Sequence, residues 1–364
     1  MTKTPYHKIS IALAPMYGVT DFPMRLWFSL ISGCSEMTTP FLRVTETYPH
    51  KEPYEWAPEL FDEEIKNSLS FTTIPQLMAS CPKRFVAAYE MIKDSSATVE
   101  INCGCPSPKV VGHGAGSSLL RDVGLFKEFI TYIADNISSE NFCVKIRTGY
   151  DNSDNFYDLI KAIKDLNLKK LTIHGRTKEQ KYSSYARWDL IAKASELCPY
   201  PVYASGDVVD LASYKKSLVE MPHIQGLIIG RGALQRPWLF HELESGKELE
   251  LDKKALYHSL ICYGLLLELN FKDSKSLRNL IYEGNFNKAY IFNLEKWVSL
   301  QAKLEALVFT ETHKISDFSK ISLGRMKLII GYLIKGVLKG SEGKKVLRSR
   351  SYLEFTRELE SFLS

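Results

Sequence analysis

No apolar run in the chain approaches the ~18 residues that a membrane-spanning helix requires, so a bilayer-crossing segment is not expected. The opening residues, Met-Thr-Lys-Thr-Pro-Tyr-His-Lys, lack the apolar core of a secretory signal. Cysteine is sparse: seven residues, an odd number scattered from Cys34 to Cys262, do not form a disulfide framework and suit reduced thiols in a cytoplasmic setting. No Gly-x-Gly-x-x-Gly stands between an early strand and a helix, so the dinucleotide fingerprint of open α/β sheets is missing. Cys103 and Cys105 lie close together, but a tetrahedral zinc site needs four ligands, and no second cluster or suitable His pair accompanies them. No metal is expected. Low-complexity segments and long disordered linkers are absent too.

What is present is the composition of a globular protein, 45% hydrophobic and 24% charged over 364 residues, enough for one large domain and a smaller one. The net charge of +5 is unevenly spread. Residues 249–364 hold 19 Lys/Arg against 13 Asp/Glu, whereas the preceding 248 residues are nearly balanced. Arg325, Lys327, Lys335, Lys339, Lys344, Lys345, Arg348 and Arg350 crowd one short region that has the single acid Glu342. Such a face attracts polyanions through counterion release, although a merely solvated helix surface would look the same.

Up to about residue 240, short β-rich runs alternate with helical stretches. Strands are expected at 8–16, 36–44, 72–79, 98–103, 142–147, 170–174, 201–204 and 225–229. Several are nearly continuous apolar runs, as befits parallel strands covered on both faces. Eight strands in βα alternation predict a (β/α)8 TIM barrel over residues 1–245; an open doubly wound sheet is the alternative. Beyond it, 253–270, 287–306, 316–334 and 345–362 read as amphipathic helices, giving a C-terminal all-α bundle over 246–364.

In a barrel, chemistry gathers at the C-terminal strand ends, and the unusual residues of this chain fall there. The first strand ends Ala14-Pro15-Met16-Tyr17-Gly18, the third near Gln76, and the fourth runs into Asn102-Cys103-Gly104-Cys105-Pro106. Lys145 and Arg147 stand on the fifth; His174-Gly175-Arg176-Thr177, Ser205-Gly206-Asp207 and Gly230-Arg231-Gly232 end the last three. Glycines after the seventh and eighth strands, with Arg231, suit an anion, unless they only turn the chain. Lys145 lies inside an apolar strand, where an unpaired ammonium is costly. It calls for a partner at the barrel mouth, either the anionic edge of a reduced flavin or a structural carboxylate. His174 could donate to a flavin carbonyl or be a satisfied core residue. Cys103 continues the apolar side of its strand. Cys105, between Gly104 and Pro106, is free to enter the mouth, and a thiol with an ordinary pKa of about 8.5 can serve as a general acid.

Ala14-Pro15-Met16, Asn102-x-Gly104-Cys105-Pro106, Gly114-Ala115-Gly116-Ser117-Ser118-Leu119-Leu120, Val144-Lys145-Ile146-Arg147, His174-Gly175-Arg176-Thr177 and Gly230-Arg231-Gly232 together resemble the tRNA-dihydrouridine synthases. The resemblance spans the barrel, and the helical region matches that family's tRNA-binding domain in kind. It implies that NADPH reduces bound FMN and that the flavin passes hydride to C6 of a D-loop uridine while Cys105 protonates C5. FMN would be held by Pro15, Met16 and Tyr17, by Gln76, Lys145 and His174, by the Ser205, Gly206 and Asp207 amides, and by Gly230 with Arg231. Asn102, Arg147, Arg176 and Tyr182 would line the uridine side. Thr39-Pro40-Phe41-Leu42-Arg43-Val44 and the Asn102-Cys103-Gly104-Cys105-Pro106 form resemble the bacterial C-type branch, which acts on tRNA position 16, and this makes Arg43 a tRNA contact. The chain departs from the family pattern at Ser205, commonly Asn, and at Asn293-Leu294-Glu295-Lys296-Trp297, where that branch carries Arg-x-Lys-x-Trp. Residues 270–288 look like extra sequence. tRNA is the expected partner; no protein partner is called for, and a monomer is expected. The competing readings are an FMN barrel oxidoreductase acting on a free pyrimidine and a tRNA-binding protein without catalysis.

Overall fold

The computed structural model describes residues 9–45, 53–310, 314–338 and 343–364. Lys8, Lys339 and residues 340–342, part of the expected first strand, basic stretch and last interhelical link, lie outside the described residues. Ten short parallel strands occur among those described. They are β1 (Ser10–Leu13), β2 (Glu36–Thr38), β3 (Leu42–Arg43), β4 (Thr72–Ile74), β5 (Gln76–Met78), β6 (Val99–Cys103), β7 (Phe142–Arg147), β8 (Lys170–His174), β9 (Val202–Ser205) and β10 (Gly226–Ile229).

The expected second and third strands are each interrupted, at Pro40 and Pro75, because proline brings no N–H to the ladder. At the break the Thr39 hydroxyl accepts the Gln76 amide at 2.9 Å in place of a ladder carbonyl. β2 pairs with β4 and β3 with β5, while β1 pairs with both β2 and β10. Joining the interrupted halves leaves eight strands whose pairings run full circle. The fold is a (β/α)8 barrel followed by a helical region.

Alternation along the strands divides two environments. Ile101, Cys103, Val144, Ile146, Leu171 and Ile173 are fully buried in the main apolar core. Their neighbours form a mixed interior. Ala12, Ala14 and Ile228 make a separate apolar patch against Tyr203. Met78 makes another with Val110 and Ala115, and polar pairs stand between: the Lys170 ammonium reaches Glu36 across the sheet at 2.7 Å, and Gln76 donates to buried Glu100 at 2.6 Å. Burial disfavours the charge on Lys170, yet Glu36 and Glu100 more than offset this and hold its pKa above the ordinary lysine range.

Past β10 the described chain is helical. Helix Lys253–Lys272, capped by Asp252, packs on helix Phe22–Ser32. The expected helix 287–306 begins later, as Leu294–Val308, because the Asn293 side chain caps it by accepting the Lys296 amide at 3.0 Å. The residues before it are used otherwise: the Tyr290 and Ile291 amides donate to the Leu30 carbonyl at the C-terminal end of helix Phe22–Ser32. The expected helix 345–362 is two, Gly343–Arg348 and Tyr352–Leu363, since Ser351 caps the second. Residues 270–288, expected to be extra sequence, pack against the barrel. They include helix Ser274–Tyr282, which packs on helix Glu63–Ser68 and donates from Tyr282 to Asp62 at 2.9 Å.

Candidate active site

The strand ends open into one cavity of about 520 Å³, within the range of cofactor and small-ligand sites. β1 delivers Ala14, Pro15, Met16 and Tyr17 to its wall. Tyr17 is 75% exposed and stacks on Phe41, ring centroids 4.8 Å apart. At the end of the neighbouring β10, Gly230 packs beside this loop: a Cβ there would stand 3.4 Å from Ala14 and from the Met16 sulfur, within ordinary contact. Gly232, by contrast, must be glycine, since a Cβ would lie 2.1 Å from the Val208 carbonyl oxygen.

Lys145, Arg147, His174 and Ser205 follow from neighbouring strands. Lys145 registers with Asn102 and Thr172, and Arg147 with His174, which in turn registers with Ser205. Among the described residues the Lys145 ammonium has no side-chain hydrogen bond or ion pair, its backbone alone being paired in the sheet. Burial lowers its pKa to about 8, with Glu100 opposing and Arg147 assisting the shift. Burial, then the cations Arg147, Lys145, Arg176 and Arg231, hold His174 well below its ordinary pKa, so its ring is neutral at pH 7. Its Nδ1 is buried without a partner. An unpaired ammonium and an unpartnered ring nitrogen in one cavity wall leave binding capacity for a polar, electron-rich ligand. Arg231 lies 3.9 Å over the Tyr182 ring, and both border the same space.

The thiol loop is held from three sides. Asn102 Oδ1 accepts the Gly104 amide at 3.0 Å and the Cys105 amide at 2.8 Å. Arg147 Nε donates to the Gly104 carbonyl at 2.7 Å. Ser117 donates to the Cys105 carbonyl from its amide at 3.1 Å and its hydroxyl at 2.9 Å. The half-buried Cys105 thiol lines the cavity, and burial raises its pKa, so it stays protonated at neutral pH. The wall can thus hold an anion, present a neutral imidazole and hold a transferable proton.

Most residues expected at the site meet here: Pro15, Met16, Tyr17, Asn102, Cys105, Lys145, Arg147, His174, Tyr182, Ser205, Gly206, Asp207, Gly230 and Arg231 all border the cavity. Three do not. Gln76 is fully buried behind Asn102, with both ends of its amide occupied by Glu100 and Asn102. Arg176 is buried outside the lining, donating to the Ser184 carbonyl at 2.7 Å and to Asp207 at 2.5 Å. Arg43, at the end of β3, stands apart from the lining. Sequence reasoning missed Phe41, Gln235 and Tyr332, the last contributed by helix Lys320–Gly336. Nothing in an amphipathic helix marks the one ring that meets the mouth of a barrel. Ser117 was legible only as part of a motif without an assigned task.

Among the described residues no group of three or more His, Cys, Asp or Glu could hold a metal, and no helix is long and apolar enough to cross a membrane. Residues 12–275 match the family model for dihydrouridine synthase (Dus). The chain is 31% identical over 241 residues to the tRNA-dihydrouridine synthase B of Pseudomonas putida, covering 65% of this chain and 68% of that protein. It is 28% identical over 245 residues to the tRNA-dihydrouridine(16) synthase of Neisseria meningitidis serogroup A, covering 67% and 73%. To the tRNA-dihydrouridine(16) synthase of Yersinia pestis it is 31% identical over 231 residues, covering 62% and 73%. A solved structure of the old yellow enzyme from Trypanosoma cruzi aligns with a TM-score of 0.47 at 10% identity, covering 66% of this chain and 89% of that one.

Proposed function

The chain belongs to the dihydrouridine synthase family, and from this we propose that it saturates the C5=C6 bond of a D-loop uridine in tRNA, using FMN and NADPH. The supporting observation is the meeting of a protonated thiol, an unpaired lysine and a neutral, unpartnered histidine in one cavity wall.

Saturation adds a hydride at one carbon and a proton at the other; FMN, reduced by NADPH, supplies the hydride when bound. The unpaired donors of Lys145 and His174 fit its electron-rich pyrimidine edge. Pro15, Met16, Tyr17, Ser205, Gly206 and Asp207 would border its ring, and Gly230 with Arg231 its phosphate. Cys105 gives its proton to C5. Asn102, Arg147 and Tyr182 line the uridine side. Gln76 and Arg176 act from behind, by holding Asn102 and Asp207. The target base must leave its stacked context to reach such a cavity, and the exposed cations of the helical region would bind the flanking phosphates. The enzyme would work in the cytoplasm, where its substrate is.

Position 16 is the target we propose, on the Thr39–Val44 segment. Mapping dihydrouridine in tRNA from cells lacking the gene tests this. Loss at position 16, restored by the wild-type gene and not by Cys105→Ala, is expected. Loss at another position would refute the position alone, and an unchanged map would refute the function. Turnover of free pyrimidines without RNA would instead favour a small-molecule oxidoreductase.

A further inference from the structure

Behind the thiol loop runs a chain of buried hydrogen bonds that the reaction itself does not require. Glu100 is fully buried and accepts from Gln76 Nε2 at 2.6 Å. Gln76, also fully buried, accepts through Oε1 from Asn102 Nδ2 at 2.8 Å. With its Nδ2 turned toward Gln76, Asn102 turns its Oδ1 to the loop, and this oxygen accepts both the Gly104 and the Cys105 amides. The far oxygen of Glu100 is occupied by the Thr172 hydroxyl at 3.4 Å.

A side-chain amide offers a donor at one end and an acceptor at the other, and rotation of half a turn exchanges them. Nothing in Gln76 or Asn102 alone chooses between the two settings. An ionised carboxylate only accepts. With Glu100 at the head, Gln76 must turn its NH2 toward residue 100 and its oxygen toward Asn102. Asn102 must then turn its NH2 inward and its oxygen to the loop. The opposite setting would point NH2 hydrogens at the Gly104 and Cys105 amides, leaving buried donors facing donors. Lys145 and Lys170 are both electrostatically coupled to Glu100.

We propose that Glu100 is a positioning residue: through Gln76 it fixes the setting of the Asn102 amide, and thereby the place of the Cys105 thiol in the cavity. Its importance for turnover rests on the reading of Cys105 as the proton donor, but the positioning itself does not, and it can be measured without tRNA.

The experiment is alkylation of Cys105 by iodoacetamide in the purified protein, followed by mass spectrometry of the peptide containing residue 105 between pH 6 and 10. Glu100→Gln keeps shape and volume but lets residue 100 donate, so both settings become available. The loop loosens, the thiol gains solvent, and its alkylation at neutral pH rises about tenfold, equivalent to about 1.4 kcal/mol, with its pH midpoint moving down. The double variant Glu100→Gln with Asn102→Asp moves the carboxylate to the other end of the chain. Residue 100 then donates to Gln76, Gln76 donates to residue 102, and an oxygen, now of a carboxylate, again faces the two loop amides. This variant should return the alkylation rate to within about twofold of the wild type, the scatter expected of a compensated pair. An unchanged rate in Glu100→Gln overturns the proposal. A fast rate that the second substitution does not restore also overturns it, since loosened packing would then suffice. Should Glu100→Gln not fold, Gln76→Met removes the middle link while keeping the charge, and a wild-type rate there is equally fatal. None of these outcomes depends on which nucleic acid, if any, the protein reduces.

Discussion

Gly116 shows how little room the thiol loop has. Its φ is +62°, and a Cβ there would lie 2.8 Å from Val110, 3.0 Å from the Cys105 carbonyl oxygen and 3.1 Å from Cys105 Cβ. Gly116→Ala is expected to lower stability by about 1–3 kcal/mol and to displace the thiol, seen together in thermal melting and Cys105 alkylation. Lys145 brings a dependence on pH. Its folded pKa of about 8 lies below the ordinary lysine value, so between the two the unfolded chain carries the extra proton. In protein freed of bound ligand, this group makes stability rise with pH from about 8 to about 10.4. Lys145→Met should remove that limb and be the more stable protein below pH 8, by at most about 3 kcal/mol. Denaturant titrations of the two proteins across this range check the sign. These residues were legible because a charge or thiol at the end of an apolar strand is costly to keep unless chemistry uses it. Gln76 is less legible: a polar residue on an inward strand position faces the barrel axis, and the pattern does not tell whether a ligand or Glu100 waits there, while in the structure its amide meets Glu100 and Asn102.

Among the elements, the strand positions were the most readable, because parallel strands buried on both faces announce themselves as apolar runs. The breaks inside them were readable too, from Pro40 and Pro75, though their consequence was not: the barrel closes through a hydroxyl. Thr39→Val would leave the Gln76 amide buried without an acceptor and is expected to cost about 1–3 kcal/mol, measurable by chemical denaturation. Helix boundaries were less accessible. Ser351 and Glu354 carry the spacing of a helix start, and the Glu354 amide does donate to Ser351 at 3.2 Å, but an unbroken amphipathic pattern hid the stop before it. Asn293 hid in the same way.

For the molecule as a whole, charge is divided between two uses that composition alone cannot separate. Arg325 turns inward, pairing with Asp21 at 3.1 Å and donating to the Val19 carbonyl at 2.5 Å, and Lys327 donates to the Ser349 carbonyl. Lys335, Lys344, Lys345, Arg348 and Arg350 stay exposed. Reversing Lys344, Lys345 and Arg348 to Glu is therefore expected to weaken tRNA binding and flatten its salt dependence, by a slope of roughly 0.9 for each phosphate no longer neutralised. Filter binding over a range of salt concentrations decides; an unaltered slope would make these cations a solvated face.

The inward turn of Arg325 and the reach of Tyr332 into the cavity wall carry a last consequence. A helix from the end of the chain steadies the first loop of the barrel and supplies part of its mouth. Recombination that grafted a foreign helical tail onto this barrel would have to bring a cation to meet Asp21 and a ring to fill the gap left by Tyr332. The rim is thus built jointly: neither the barrel loops nor the later helix makes the whole of it alone.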